Sequence, residues 1–249
     1  MIRPDSRFLK VAVALVVGAC MLATQASAAL IDLTPQNGAS NSAGSVSLAD
    51  LISGQAMGVQ VGDKEFTGFS YSATGDMPAS ANINVLGFQD ADGNWGISFH
   101  GSFLDLPAGA SSDALIRFMV EVSDAAQAQG WRITDAHLAI AGAGVAGDES
   151  LFLVDETLSN GALLETYVTT LGPGPQVNKL TDSKVFAPVT KLNVTKDILA
   201  IAAAGTFLPS RATVIDQSFS QEQIVPEPAT AALLGLSSLA FVSMSRRRS

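Results

Sequence analysis

The chain reads as a mainly β protein, an antiparallel β-sandwich of jelly-roll-like character built as a single domain. Three observations point there. Apolar residues in the body recur with a period of two. Turn residues interrupt that alternation every 8–15 residues, which is the spacing of short strands in a sandwich or barrel. Charged residues make up only 15% of the 249-residue chain, while 22 glycines supply turns.

Each element follows from local pattern. Residues 34 to 47 are a polar loop. Ser47 and Asp50 form the start of a capping box, so a short helix is expected to about Gln55. Val59 and Val61 alternate before a Gly62-Asp63 turn, and Phe66, Phe69 and Tyr71 follow. Ile83, Val85 and Phe88 lead into Asp92-Gly93-Asn94, a hairpin signal, and Trp95, Ile97 and Phe99 return. Ile116, Phe118, Val120 and Val122 alternate with Arg117, Met119 and Glu121, the pattern of a half-buried strand. Asp124 to Gln129 is a helical turn closed by Gly130. Further strands are expected from Ile133 to Ile140, Leu151 to Val154, Leu163 to Thr169, Leu192 to Val194, Ile198 to Ile201 and Ala212 to Ile215. Gly142 to Gly147 and Leu171 to Pro175 are loops, the latter because its prolines and glycines cannot pair in a ladder. About ten strands result, with no repeat of fixed period.

The ends differ from the body. Arg3, Arg7 and Lys10 precede an apolar run from Val11 to Ala23, and Ala26-Ser27-Ala28 supplies small-x-small. Residues 1–28 therefore read as a secretory signal peptide cut between Ala28 and Ala29. Cys20, the only cysteine, ends a loose lipobox, Val17-Gly18-Ala19-Cys20. At the other end, Pro226 and Pro228 forbid helix and hold Glu227 extended. Residues 229 to 244 carry no charge, and Arg246, Arg247 and Arg248 follow. A helix over 229–244 would span roughly 24 Å, short against a hydrocarbon core of about 30 Å. The three arginines would stay on the cytoplasmic side. Ser218 to Gln223 reads as a polar linker, so the expected organisation is 1–28 signal, 29–217 exported domain, 218–224 linker and 225–249 tail.

Pro226-Glu227-Pro228, the Leu234-Gly235-Leu236 helix and the basic end resemble, in that order, the PEP-CTERM sorting signal. That signal is also catalogued as an ice-binding-protein-type C-terminal domain. The resemblance covers about a tenth of the chain. It implies recognition of Pro226, Glu227 and Pro228 by an exosortase, a membrane-embedded transpeptidase-like enzyme. It also implies a Gram-negative bacterium that makes exopolysaccharide, with the protein held transiently in the inner membrane and then placed at the cell surface or outside. The body is also loosely similar to β-sandwich passengers carried ahead of such tails.

Charge narrows the function further. The chain holds 14 basic and 23 acidic residues, a net of −9, and six of the basic ones lie in the two ends. Nucleic-acid binding needs basic clusters that the body lacks. No Gly-x-Ser-x-Gly elbow and no His-Glu zinc pattern occurs, so neither His100 nor His137 is expected to be catalytic, and no metal or cofactor is expected. Asp90-Ala91-Asp92-Gly93-Asn94 resembles a fragment of a calcium loop but lacks the distant Glu. Asp148-Glu149 and Asp155-Glu156 flank one strand and are expected to be solvated. Trp95, Phe99 and Tyr71 at period two are expected in the core. The expected function is a non-enzymatic exported surface or matrix protein that uses the general secretion machinery, with exopolysaccharide as a candidate partner. The alternatives are a secreted carbohydrate-active enzyme and a calcium- or glycan-binding module.

Overall fold

The computed structural model describes residues 29–36, 44–107, 109–170 and 175–224. The signal segment, Cys20, the cut at Ala28 and the whole tail, including Pro226, Glu227, Pro228, Arg246, Arg247 and Arg248, lie outside the described residues. Fifteen strands and two short helices are described. The strands are β1 (Leu30–Asp32), β2 (Val46–Ser47), β3 (Gly58–Val61), β4 (Lys64–Thr74), β5 (Asn84–Gln89), β6 (Trp95–Asp105), β7 (Ser112–Val122) and β8 (Trp131–Ala141), then β9 (Leu151–Leu158), β10 (Leu163–Thr169), β11 (Val177–Lys179), β12 (Thr181–Val189), β13 (Lys191–Ile201), β14 (Ser210–Phe219) and β15 (Gln221–Gln223). The helices are α1 (Leu48–Ser53) and α2 (Asp124–Ala128).

Two sheets form. One runs β1-β3-β4-β7-β13-β9-β10-β11, and the other β12-β8-β14-β6-β5-β2 with β15 beside β8. All pairings are antiparallel except β1 with β3. From β6 to β9 the chain changes sheet at each connection, so both sheets are built together and their apolar faces meet. The rings of Phe66 and Phe118 in the first sheet lie 6.2 and 5.8 Å from those of Phe219 and Phe99 in the second. Phe66 and Phe69 also lie 6.1 and 5.7 Å from Phe118, which is therefore the centre of an aromatic cluster. These contacts make the fold a sandwich of two sheets around one core.

Local chemistry sets the boundaries. Ser47 caps α1, its Oγ accepting from the Asp50 backbone N–H at 3.1 Å, and Gly54 ends the helix at φ +77°. Gly62 turns the chain at φ +61°, and a Cβ there would enter the Trp95 ring. Asp90 organises the β5–β6 hairpin. Its Oδ1 accepts from the Asp92 and Asn94 backbone N–H groups at 3.0 and 2.9 Å, and its Oδ2 from Asn94 Nδ2 at 3.0 Å.

Four expectations need correction. Leu192 to Val194 and Ile198 to Ile201 are one strand, β13, interrupted in sequence by an inward-facing Lys196. β12 was not expected at all; it is an edge strand with a bulge before Val189, where Pro188 needs no ladder partner. The residues read as a linker belong to the fold, because Ser218 and Phe219 are buried in β14 and Gln221–Gln223 pair with β8. Ile224 is held too, its N–H donating to Gly130 at 2.9 Å. Lastly, Glu156 is not solvated at a strand end but fully buried.

Glu156 belongs to a polar cluster inside the core. Lys196 stands directly across from Glu156 in the β13–β9 ladder. Gln217 enters from β14 in the opposite sheet. Lys196 Nζ donates to Glu156 Oε2 and to Gln217 Oε1, and all three side chains are sealed from solvent. Burial pushes the Lys196 amine down and the Glu156 carboxyl up, against their mutual attraction. Glu156 also faces the Gln217 carboxamide, which favours its charged form without making a well-aligned hydrogen bond. Glu156 Oε1, Gln217 Nε2 and Thr166 Oγ1 are buried without a hydrogen-bond partner.

Truncating Phe118 would open a cavity shared by both sheets. Phe118→Ala is expected to cost about 3–5 kcal/mol, read as a lower urea midpoint with an unchanged denaturant slope.

Candidate functional site

Side chains alternate along β14. Ile215, Gln217 and Phe219 point into the core, so Asp216 and Ser218 point out. The neighbouring strands put Ser98 beside Asp216 and His137 beside Ser218 on the same outer face. The β5–β6 hairpin raises Phe88 and Asp90 on one side, and edge strand β12 raises Thr181, Asp182 and Ser183 on the other. Between these rims lies a cleft of about 390 Å³, with Asp216, Ser218, His137, Leu138 and Ala139 also lining it. Such a volume is at the small end of ligand pockets, which run from about 300 to 1,000 Å³.

Hydrogen bonds fix most of the lining. Ser218 Oγ donates to Asp90 Oδ2 at 2.7 Å, tying the hairpin to the cleft floor. Ser98 Oγ donates to Asp216 Oδ1. His137 Nε2 lies 3.0 Å from Asp135 Oδ1 and 3.1 Å from Ser220 Oγ. Asp182 Oδ2 accepts from the Glu165 backbone N–H and from Lys179 Nζ, both at 2.9 Å, which pins β12 to the first sheet.

The carboxyls differ in character. Burial pushes the Asp216 carboxyl up, and the Ser98 hydrogen bond, His100 and Lys196 only partly offset this. Burial also acts on Asp90, but the bonds from Ser218, Asn94 and Asp92 win and hold it below the usual carboxylate range. Three carboxyls against one imidazole make the cleft unfavourable for anions. Its hydroxyls and carboxyls suit a neutral ligand rich in hydroxyl groups, and Phe88 offers an apolar face for C–H groups.

The expected site residues fall differently. Asp90 to Asn94 is the hairpin turn, with the Asp90 oxygens occupied by protein donors. No group of three or more His, Cys, Asp or Glu suited to a metal ion occurs among the described residues. Asp155 and Glu156 face opposite sides of β9, and Asp148 and Glu149 are exposed on a loop, so these four do not converge. Phe99 is buried, and Trp95 and Tyr71 pack against the core, as their period-two spacing indicates. His137 lines the cleft, whereas His100 does not, although it is among the groups that offset the upward push on the Asp216 carboxyl. Phe88, Asp216 and Ser218 were not singled out from sequence. Their signal was the outward parity of Phe88 against Val85, and of Asp216 against Ile215.

No family model matches the chain, and no curated protein matches it. Among solved structures, a carbohydrate-binding module, TmCBM61 in complex with beta-1,4-galactotriose, is similar at 12% identity and a TM-score of 0.27, covering 62% of this chain and 88% of that one. A structure of promiscuous carbohydrate-binding modules from the β-sandwich superfamily is similar at 10% identity and a TM-score of 0.23, covering 62% of this chain and 57% of that one. At such TM-scores the likeness carries no argument about the ligand, and the cleft's own chemistry has to.

Asp216 links the cleft to stability. Its folded pKa is raised, so the native state holds the proton more tightly than the unfolded chain does. Stability contributed at this position is therefore lost as pH rises from the ordinary carboxylate range through the raised folded value. Asp216→Asn is expected to raise the urea midpoint at neutral pH. The gain should disappear below the ordinary carboxylate range, as a series of unfolding curves against pH would read.

Proposed function

We propose that this is an exported, non-enzymatic surface or matrix protein that binds a neutral glycan in the cleft on the outer face of its second sheet. The single observation that supports this most is the cleft itself. Phe88 provides a surface for sugar stacking, and Asp216, Ser218, Ser183 and His137 provide hydroxyl partners around a volume of about 390 Å³. In this reading the general secretion machinery exports the chain and Ala28–Ala29 is the cut. Exosortase then recognises Pro226, Glu227 and Pro228 while Arg246, Arg247 and Arg248 set orientation. Exopolysaccharide is the natural glycan for such a location.

A second reading is hydrolysis. Asp90 and Asp216 line one cleft and their environments push their carboxyls in opposite directions, as acid/base pairs require. The bonds that occupy Asp90 favour binding over catalysis.

Titration of the purified protein with neutral oligosaccharides tests the cleft. Binding is expected, with at least a roughly tenfold loss in Phe88→Ala, the scale of a lost aromatic stacking contact. Release of new reducing ends would favour the hydrolytic reading, and absence of binding across neutral glycans would remove the glycan reading.

Sorting has a separate test. Glu227→Ala, or deletion of 225–249, is expected to abolish surface placement, and intact mass of the wild-type surface form should begin at Ala29 and end near Pro226 to Pro228. Unchanged display of the variants, or a surface form ending in Ser249, would count against exosortase.

A further inference from the structure

An amine, a carboxyl and a carboxamide meet inside the core, where no solvent reaches them. Sandwich cores are built from apolar side chains, and a buried Lys-Glu pair is often no more stable than apolar residues of the same volume. Stability alone gives a weak reason for the pair. Nor does it account for Gln217, which spends its carbonyl oxygen on Lys196 and leaves its Nε2 unpartnered.

We propose that Lys196, Glu156 and Gln217 are an autocatalytic site that forms an intramolecular amide bond between Lys196 Nζ and Gln217 Cδ. Lys196 Nζ already contacts Gln217 Oε1, so the carbonyl carbon lies one bond beyond the contacted atom. Lys196 Nζ also contacts Glu156 Oε2, which places a proton acceptor on the nucleophile. The two oxygens of Glu156 then have distinct tasks. Oε2 takes the proton that Nζ sheds as the new C–N bond forms. Oε1, which has no hydrogen-bond partner, delivers a proton to Nε2, also without a partner. The Cδ–Nε2 bond breaks and ammonia leaves. A primary amide and an amine become a secondary amide and ammonia, and Glu156 ends in the protonation state in which it began.

The surroundings supply what the reaction needs. A lysine is nucleophilic only as the free amine, and desolvation favours that form of Lys196 as it favours the protonated form of Glu156. The dry core shields the tetrahedral intermediate and the product from hydrolysis. The three side chains are held on three different strands, which fixes their approach before any bond forms. The product removes a buried ionisable pair and joins β13 of one sheet to β14 of the other.

A second cluster acts as an internal control. Lys64 Nζ lies 3.1 Å from Gln221 Oε1 and 3.2 Å from Asp63 Oδ1, the same three kinds of group. Lys64 is buried nearly as deeply as Lys196, and burial pushes its amine down too. The Asp63 side chain, however, is 25% exposed and already accepts from Gln221 Nε2, so the carboxylate opens to water and the carboxamide nitrogen is occupied. Lys64 is not expected to react.

Peptide mapping of the folded full-length chain by high-resolution mass spectrometry decides the matter. Acylated Lys196 resists trypsin, so segment 192–211 should remain uncut and be joined to the segment beginning at Ala212. The joined mass should be lighter than the sum of its parts by one ammonia. Lys196→Arg keeps the charge and lacks the reactive amine, and Glu156→Gln keeps the shape and lacks the acid. Both variants should give separate, unmodified segments. Normal cleavage after Lys196 in the wild type would overturn the proposal, as would a join lighter by one water, which would be Lys196 to Glu156. Persistence of the joined peptide in Glu156→Gln would remove Glu156 from the chemistry.

Discussion

The cluster of Lys196, Glu156 and Gln217 constrains the molecule more than any apolar contact does. An apolar core tolerates some sliding, because one aliphatic side chain can stand in for another. A buried amine facing a buried carboxyl does not. A one-residue slip of β13 against β9 would turn Lys196 to the outer face, send its neighbour Asp197 or Thr195 inward and leave Glu156 buried without its amine. Gln217 adds the same demand on β14, and it does so from the other sheet. These three positions together fix two registers within sheets and the alignment between sheets. The phenylalanine cluster around Phe118 then fills space whose geometry is already set.

The outer cleft inherits that geometry. Once Gln217 is committed to the interior, Asp216 and Ser218 must face outward on the same strand. Ser218 in turn holds Asp90, and Asp90 holds the hairpin that raises Phe88. The chain of dependence runs from a core amide through one strand to the rim of the cleft. It is also electrical, since Lys196 is one of the groups that moderate the upward push on the Asp216 carboxyl. An uncharged Lys196 would leave Asp216 more fully protonated, and so a better donor to a ligand oxygen.

Much of this architecture is legible in the sequence, and the exceptions share a cause. The alternation at Ile116 to Val122, the Asp90 to Asn94 turn and the Ser47 cap are local signals, and each forms as read. Polar residues at inward positions defeat such reading. Lys196 divides one long strand into two short ones, Glu156 looks like a solvated strand end, and Ser218 to Gln223 looks like a linker. In each case the stabilising partner is distant in sequence, as Glu156 is from Lys196 and as Asp63 is from Gln221. β12 escapes for another reason. It is a bulged edge strand carrying Pro188 and an exposed Val185, so its pattern shows no period. The cleft is the least legible part, because Phe88, Asp216 and His137 meet only after four strands have been aligned.

Exported domains are commonly stapled by disulfides. This chain has one cysteine, Cys20, which falls in the segment expected to be removed. If the domain is exported and released as proposed, it carries no thiol and has to resist unfolding by packing alone or by another covalent device. Unlike a disulfide, an amide across the sandwich would not respond to redox conditions, and it would need no partner enzyme. Its atoms are also delivered late. Gln217 lies near the end of the fold, so Lys196 and Glu156 cannot meet it until β14 docks between β6 and β8. Bond formation at that point would record completed folding, because the three groups converge only when both sheets are in register.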